Sequence, residues 1–526
     1  MHLYEMTATQ LQAGLQAGDF SSVDLVKALH QRADQVEGAV NGFTMQLREQ
    51  ALQEARLADE ERTKGNVKGP LHGIPITVKD NIDVEGTPTT LGMQARRECV
   101  AGGDAVIVQS AREAGAIVLG KSNVPQALIP MHCTNRIFGV TSNPWSSEHV
   151  TGGSSGGEGA LIASGESVMG LGSDLGGSIR FPAAFCGIAG FKPTTNRWSN
   201  MGSNTAIVGQ EFVRAQLGPM ARSAEDLCLM FEALESRKQH ALDLSIPPVP
   251  SRSMDEFKLS GMRIGYYTDD GFITPAPSHK RAVEMSCTLL KEAGAELVEF
   301  PPLNQQEVIE HYVAAVSSDG MGTLKQALQG EPVVDELKSM WRLGHLPSAF
   351  RQTAAHILPW MGEERLSGML KRLGAKSTHQ LWQLTASRSR LQAAAYQAWQ
   401  ASGVDVVVCP ASALPAVPID LSSDLSLIFS YFGRYNLFCM PAGVLPVTKV
   451  LSDELGRDDK APSDRLGKLL NKATAQSEGL PVAVQVVGKP WQDEKVLAVM
   501  KWLEARFRLH EHFPLTPVSP FALSSV

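Results

Sequence analysis

Apolar residues recur at close to helical spacing over residues 5–37, where Leu11, Leu15, Leu25, Leu29 and Val36 share a face. Ser21–Ser22 offers a cap for a second helix inside that span. Residues 51–64, rich in Ala, Glu and Arg, read as another helix. The pattern then changes. Gly73–Ile74–Pro75–Ile76–Thr77–Val78–Lys79–Asp80 is a short β-type run that ends in charge. Asp104–Ala114 reads as a helix, Gly115 as its stop, and Ala116–Leu119 as the strand that follows. This helix–strand alternation implies an α/β sheet.

Residues 151–194 are dominated by Gly, Ser and Ala, yet Leu161, Ile162, Val168, Met169, Ile179 and Phe181 interleave with them. That mixture predicts tightly packed turns and helix starts rather than a linker. Residues 241–256 form a Pro/Ser connection. Met262–Tyr267 and Val404–Cys409, the latter followed by Pro410, read as strands, and His279–Ala293 as an amphipathic helix. Residues 451–478 are polar and charged, and a mobile surface loop is expected there. Pro481–Gly488 reads as a late strand and Asp493–Arg508 as a closing helix.

The chain has 526 residues, 43% of them hydrophobic and 20% charged, which is ample for one large core. A net charge of −7 argues against a nucleic-acid partner. The seven Cys are dispersed without a CxxC pair, the habit of reduced thiols. No His/Cys group has ligand spacing and HExxH is absent, so neither a metal nor a cofactor is expected. The first twenty residues lack the basic and apolar regions of a signal peptide. No window of about 18 apolar residues occurs, so no transmembrane helix is expected. The expectation is a cytoplasmic protein, free or peripherally attached to a membrane.

Three segments carry candidate chemistry: Val78–Lys79–Asp80, Gly152–Gly153–Ser154–Ser155–Gly156–Gly157, and Asp174–Leu175–Gly176–Gly177–Ser178–Ile179–Arg180. Amide hydrolysis needs a nucleophile, a base, an acid for the leaving amine, and donors for the oxyanion. Ser178 follows two glycines, whose backbone can turn its N–H groups toward one point. A Ser-His-Asp arrangement lacks support, because neither Ser154 nor Ser178 sits in a G-x-S-x-G elbow. Lysine is the other candidate base. An exposed ammonium, with a pKa of about 10.4, cannot accept a proton at neutral pH. Burial lowers that value, and Lys79 ends an apolar run that enters the interior. A hydroxyl such as that of Ser154 can donate and accept, and so relay a proton.

The stretch from Gly152 to Thr194 resembles the signature of the amidase signature family. The 24 residues between Ser154 and Ser178, and the 75 between Lys79 and Ser154, fit that family. The resemblance implies an α/β amidase signature fold, a large mixed twisted sheet covered on both faces by helices. It implies Ser178 as nucleophile, Ser154 as bridging serine in a cis peptide, and Lys79 as base. It makes Leu175, Gly176, Gly177 and Ser178 the oxyanion hole, and Asp174 and Arg180 structural partners across the turn.

The likeness narrows further at 123–129, 141–145, 381–384, 440–448 and 479–494, which resemble the fatty acid amide hydrolase branch of the family. It runs from about residue 70 to the C-terminus. The branch begins with a transmembrane helix that the first 70 residues here lack. By analogy the Leu128 carbonyl contacts the bridging-serine side of the site. One domain is expected over 1–526, with N-terminal helices at 1–70, the catalytic core at 71–235, and a helical cap-like insertion at 342–376.

That insertion holds ten apolar residues from Leu346 to Leu373, with six Lys/Arg against two Glu. Apolar bulk beside cations suits an interfacial helix, and Pro359 should break it in two. The competing readings are a hairpin buried in the core and a homodimer interface. Trp382, Trp399 and Phe432 read as core or acyl-pocket residues, with Ile428 on the face of Phe432. The implied activity is hydrolysis of a small-molecule amide, most directly a fatty acid amide or N-acylethanolamine. Aryl-acylamides, carbamates and short-chain amides are the alternative substrates. A tRNA-dependent amidotransferase subunit is disfavoured by the apolar insertion, and a non-catalytic scaffold by the intact catalytic positions.

Overall fold

The structure, a computed structural model, describes residues 2–457 and 464–520. Its strands in chain order are β1 (Phe43–Gln46), β2 (Pro75–Lys79), β3 (Ile117–Ser122), β4 (Thr134–Asn135), β5 (Gly139–Val140), β6 (Met169–Asp174) and β7 (Ala189–Lys192). They continue with β8 (Gln216–Ala221), β9 (Arg263–Tyr266), β10 (Glu296–Glu299), β11 (Val406–Pro410), β12 (Ala442–Lys449) and β13 (Pro481–Gly488). β4 and β5 pair only with each other. The rest form one 11-stranded sheet in the order β1-β3-β2-β6-β8-β7-β12-β13-β11-β9-β10. The sheet is mixed: β2 runs parallel to both β3 and β6, whereas β6–β8 and β12–β13 are antiparallel.

Every residue of β2, β6, β11 and β13 is buried, as expected of strands covered on both faces. Side chains alternate between two cores. Val482, Val484 and Val486 enter one, while Ala483 and Val487 enter the other. The first core is closed by helices that include Ser22–Val40, Pro277–Glu292 and Asp493–Phe507. The second is closed by helices Arg180–Cys186, Gln305–Val316, Thr378–Ser402 and Ser430–Leu437. The large mixed sheet covered on both faces by helices, as expected from the sequence, is therefore present.

Most expected elements appear within a few residues of their bounds. Ser21 caps helix Ser22–Val40, accepting from Asp24 N. The strand expected at 116–119 runs on to Ser122, because the Lys121 amine is buried against Pro88 O at 2.8 Å and Thr89 Oγ1 at 2.9 Å. Polar residues with interior partners hid the end of that strand.

Two expectations need correction. The loop expected at 451–478 contains helix Arg465–Thr474, with Leu466, Leu470 and Ala473 buried and Asp464 as its cap. Residues 458–463 of that span lie outside the described residues. The insertion at 342–376 breaks at Pro359 as expected, in a 3-10 turn (Leu358–Met361) between helices Ser348–Ile357 and Glu364–Arg372. A further helix, Asp335–His345, ends just before Pro347, so the span holds three helical pieces rather than two. Among the described residues no helix is long and apolar enough to cross a membrane.

Candidate active site

β2, the third strand from the β1 edge, holds Lys79 between β3 and β6 with no solvent exposure. Its Nζ lies 2.7 Å from Ser154 Oγ, 2.9 Å from Ser173 Oγ and 3.3 Å from Ser173 O. Burial pushes the amine down to about 7, against the pull of Asp174, Cys133, Glu158 and Asp80 toward the charged form. A lysine in this state can hold or accept a proton near neutral pH. Ser173, a partner of the amine, was not singled out in the sequence. The signal available was a hydroxyl one residue before Asp174, on a strand that pairs beside β2.

Ser154 follows a cis Gly153–Ser154 peptide, the geometry the resemblance implied. A side chain at Gly153 would collide with the carbonyls of Pro130 and Met131. The carbonyls that abut this peptide are those of Pro130 and Met131, and no hydrogen bond joins Leu128 O to Ser154 among the described residues. Leu128 itself has φ +62° and packs with a small apolar cluster that includes Leu91, Met93 and Leu324.

Ser178 lies on the turn between β6 and helix Arg180–Cys186. Asp174, the last residue of β6, organises that turn. Its Oδ1 accepts from Gly177 N at 2.8 Å and its Oδ2 from Ile179 N at 3.2 Å. Arg180 grips the same carboxylate with Nε at 2.9 Å and Nη2 at 3.0 Å, and Asn436 Nδ2 adds a contact at 2.9 Å. Burial alone would raise the Asp174 pKa. The Arg180 guanidinium, with Lys192 and Asn436, instead holds it well below the usual carboxylate range. Asp174 and Arg180 are thus the structural pair that the resemblance implied.

The oxyanion donors need one revision. Gly177 was expected among them, but its N–H is engaged by Asp174. Among the described residues the N–H groups of Leu175, Gly176 and Ser178 make no hydrogen bond. Tyr312, from helix Gln305–Val316, donates to Leu175 O at 3.0 Å and steadies the turn from outside. It carries no local sequence motif, and only the fold brings it here.

The three expected catalytic residues converge unevenly. Lys79 and Ser154 are in direct contact. Ser178 is half-buried and joined to the same region through its carbonyl, which accepts from Ser155 N at 3.0 Å. No hydrogen bond links Ser178 Oγ to Ser154 Oγ among the described residues. Ser155 Oγ donates to Ser173 O at 3.4 Å, a scaffold contact.

Phe432 is fully buried behind the turn that carries Ser178, edge-on to Phe181 and 4.8 Å from the Arg180 guanidinium. A side chain at Gly177 would strike it. Its place is therefore the scaffold of the turn rather than an open pocket wall. Ile428 is buried beside it, and Trp399 is buried with its indole N–H on Val404 O at 2.7 Å. Trp382 departs from the expectation: it is 72% exposed, on the outer face of helix Thr378–Ser402.

The profile of the family described as Amidase matches residues 24–497. The chain belongs to the amidase family. This amidase is 36% identical over 511 residues to fatty-acid amide hydrolase 1 of Sus scrofa, covering 95% of this chain and 86% of that one. It is 32% identical over 505 residues to fatty acid amide hydrolase 1 of Caenorhabditis elegans, covering 94% and 87%. A solved structure of a fatty acid amide hydrolase superposes with a TM-score of 0.82 at 28% identity, covering 96% of this chain and 85% of the other. The amidase is an amide hydrolase. The family match begins well before residue 70, which corrects the boundary expected from the motifs. Helix Ser22–Val40 lacks a recognisable motif and still belongs almost entirely to the matched region.

Proposed function

We propose that this amidase hydrolyses fatty acid amides or N-acylethanolamines to free acid and amine, through an acyl-enzyme on Ser178. The observation that carries the mechanism is the buried Lys79 amine, 2.7 Å from Ser154 Oγ. Neutral Lys79 draws the Ser154 proton as Ser154 draws that of Ser178. Ser178 Oγ then attacks the amide carbonyl. The oxyanion forms against the N–H groups of Leu175, Gly176 and Ser178, at about 3–4 kcal/mol of barrier for each such donor. The proton returns through Ser154 to the leaving amine. Water then enters by the same relay in reverse roles and releases the acid. The relay requires the Ser178 hydroxyl to swing onto Ser154 Oγ when substrate binds.

The acyl class is supported by the relatives named above and by the 342–376 insertion. The insertion presents Phe350, Ile357, Trp360 and Met361 to solvent, Trp360 being 92% exposed, and Trp382 lies exposed on the helix that follows. Three of the six expected cations are buried or ion-paired, while Arg342 and Lys371 are exposed. Arg351 is buried, Arg365 is bidentate with Asp464, and Arg372 pairs with Glu310. Leu370 likewise faces inward. We assign this face to a lipid surface or lipid entry, acting through apolar insertion more than charge.

Two measurements test the proposal. On amides of one amine from acetyl to arachidonoyl, kcat/KM should rise with acyl length. A preference for acetyl, aryl-acylamide or carbamate substrates would replace the acyl class while leaving the amidase chemistry. In flotation assays the protein should bind neutral as well as anionic vesicles, and Trp360→Glu with Met361→Glu should reduce the bound fraction about tenfold or more. An unbound wild type that is dimeric by light scattering would assign the face to a second copy of the chain.

A further inference from the structure

The proposed steps leave one ionisable group of the site unused. Glu158 lies on the first turn of helix Gly156–Ser164, four residues after Ser154, and has no solvent exposure. We infer that Glu158 is a positioning residue that sets the proton affinity of Lys79, and that the two titrate as a pair. This inference rests on Lys79 being the base.

The argument begins with geometry. Thr77 and Lys79 are two apart on β2, so their side chains leave the same face of the strand. Glu158 Oε2 lies 2.6 Å from Thr77 Oγ1, and a side chain at Gly170, the β6 partner of Thr77, would collide with it. Thr77 Oγ1 is in turn 2.9 Å from Ser167 Oγ, which donates to Met169 O at 3.0 Å. The Thr77 hydroxyl donates to Glu158 Oε2, so the carboxyl is held by the residue that shares the face of Lys79 on β2. Glu158 Oε1 and Ser122 Oγ are both buried, and the Ser122 hydroxyl, with that of Thr77, favours the charged form of the carboxyl against the effect of burial.

The electrostatics agree. Burial pushes the Glu158 carboxyl up to about 7, as it pushes the Lys79 amine down to about 7. Each attracts the charged form of the other. An ionised Glu158 keeps the proton on Lys79, and a protonated one lets it go, so the proton losses belong to the pair. Other groups face this cavity from the surrounding elements. Asp80 and Lys121 face each other at the ends of β2 and β3, and Asp174 is held ionised by Arg180 on helix Arg180–Cys186. Cys133 is pushed up to about 12 and stays a thiol, and Lys192 lies on β7 beside Asp174. Arg222 Nη1 reaches Ser167 O at 3.4 Å, while Arg32, Glu37 and Glu166 meet at the far end of the helix. None of these contacts Thr77 Oγ1 or the Glu158 carboxyl.

The test is the pH profile of kcat/KM for wild type, Glu158→Gln and Lys79→Met, with the rate of fluorophosphonate labelling of Ser178 as a second readout. Removing the carboxyl removes a charge that holds the Lys79 proton. The acid limb should therefore move to lower pH by about one unit in Glu158→Gln, with the high-pH plateau retained. A lowered plateau with the limb in place would mean a merely structural role and would overturn the inference. So would a limb that stays put in Glu158→Gln yet vanishes in Lys79→Met, which leaves the base assignment standing. A limb that persists in Lys79→Met overturns both. If Glu158→Gln does not fold, infrared spectra of glutamate-labelled wild type carry the test. A protonated carboxyl band should fade along the acid limb and persist to higher pH in Lys79→Met, where the neighbouring cation is gone. Absence of such a band below the limb overturns the inference.

Discussion

Ser178→Ala is expected to lower kcat by about 10⁴-fold or more, with the melting temperature nearly unchanged. The two halves of this prediction have separate causes. The loss follows from the proposed role of Ser178 Oγ as the attacking atom, without which only the oxyanion donors and substrate binding remain. The preserved fold follows from what Ser178 does in the free enzyme. Among the described residues its Oγ makes no hydrogen bond, while its carbonyl holds Ser155 N and its turn is fixed by Asp174, Arg180 and Asn436. None of those contacts involves the hydroxyl. Amide turnover with fluorophosphonate labelling reports the first half, and calorimetry the second. A variant that keeps more than about a hundredth of the activity would place the nucleophile elsewhere.

Lys79→Met should be nearly as severe for turnover, and it should make the protein more stable at neutral pH. The sign follows from linkage. The folded amine is pushed down to about 7, whereas the unfolded value is about 10.4. Between these pH values the unfolded chain binds more protons, so wild-type stability rises as pH rises. At pH 7 the buried lysine therefore costs on the order of 4 kcal/mol. Methionine removes that cost and leaves Ser154 and Ser173 each short of one partner, at about 1 kcal/mol apiece. A net gain of about 2 kcal/mol at pH 7 is expected, shrinking toward pH 10. Chemical denaturation at the two pH values measures it. An equal destabilisation at both would mean that the amine is not desolvated.

The sequence was most informative where function forced unusual composition. The Lys79–Ser154 contact was legible because a glycine-rich run with interleaved apolar residues has few other physical uses. Asp174 and Arg180 were legible as partners because they flank the same turn. What stayed hidden depends on distant chain segments. Tyr312 reaches Leu175 O across 137 residues, and Asn436 reaches Asp174 across 262. No local periodicity encodes such contacts. The engaged Gly177 amide was missed for a different reason. Which N–H of a glycine turn faces outward depends on φ, here +113°, and residue type does not fix that. Helix Arg465–Thr474 was mistaken for loop because Leu466, Leu470 and Ala473 make a narrow apolar stripe on a charged helix. Within the 342–376 insertion, periodicity placed the helices but not their partners. Arg365 and Arg372 read as free cations until Asp464 and Glu310 were found opposite them.

The most direct measurement follows the ¹³Cε resonance of Lys79 through a pH titration of the free enzyme, assigned by its loss in Lys79→Met. The resonance should titrate near pH 7, in step with the rate at which a fluorophosphonate labels Ser178. A resonance that stays in its ammonium position up to about pH 10 while labelling proceeds at pH 7 would contradict a lysine base.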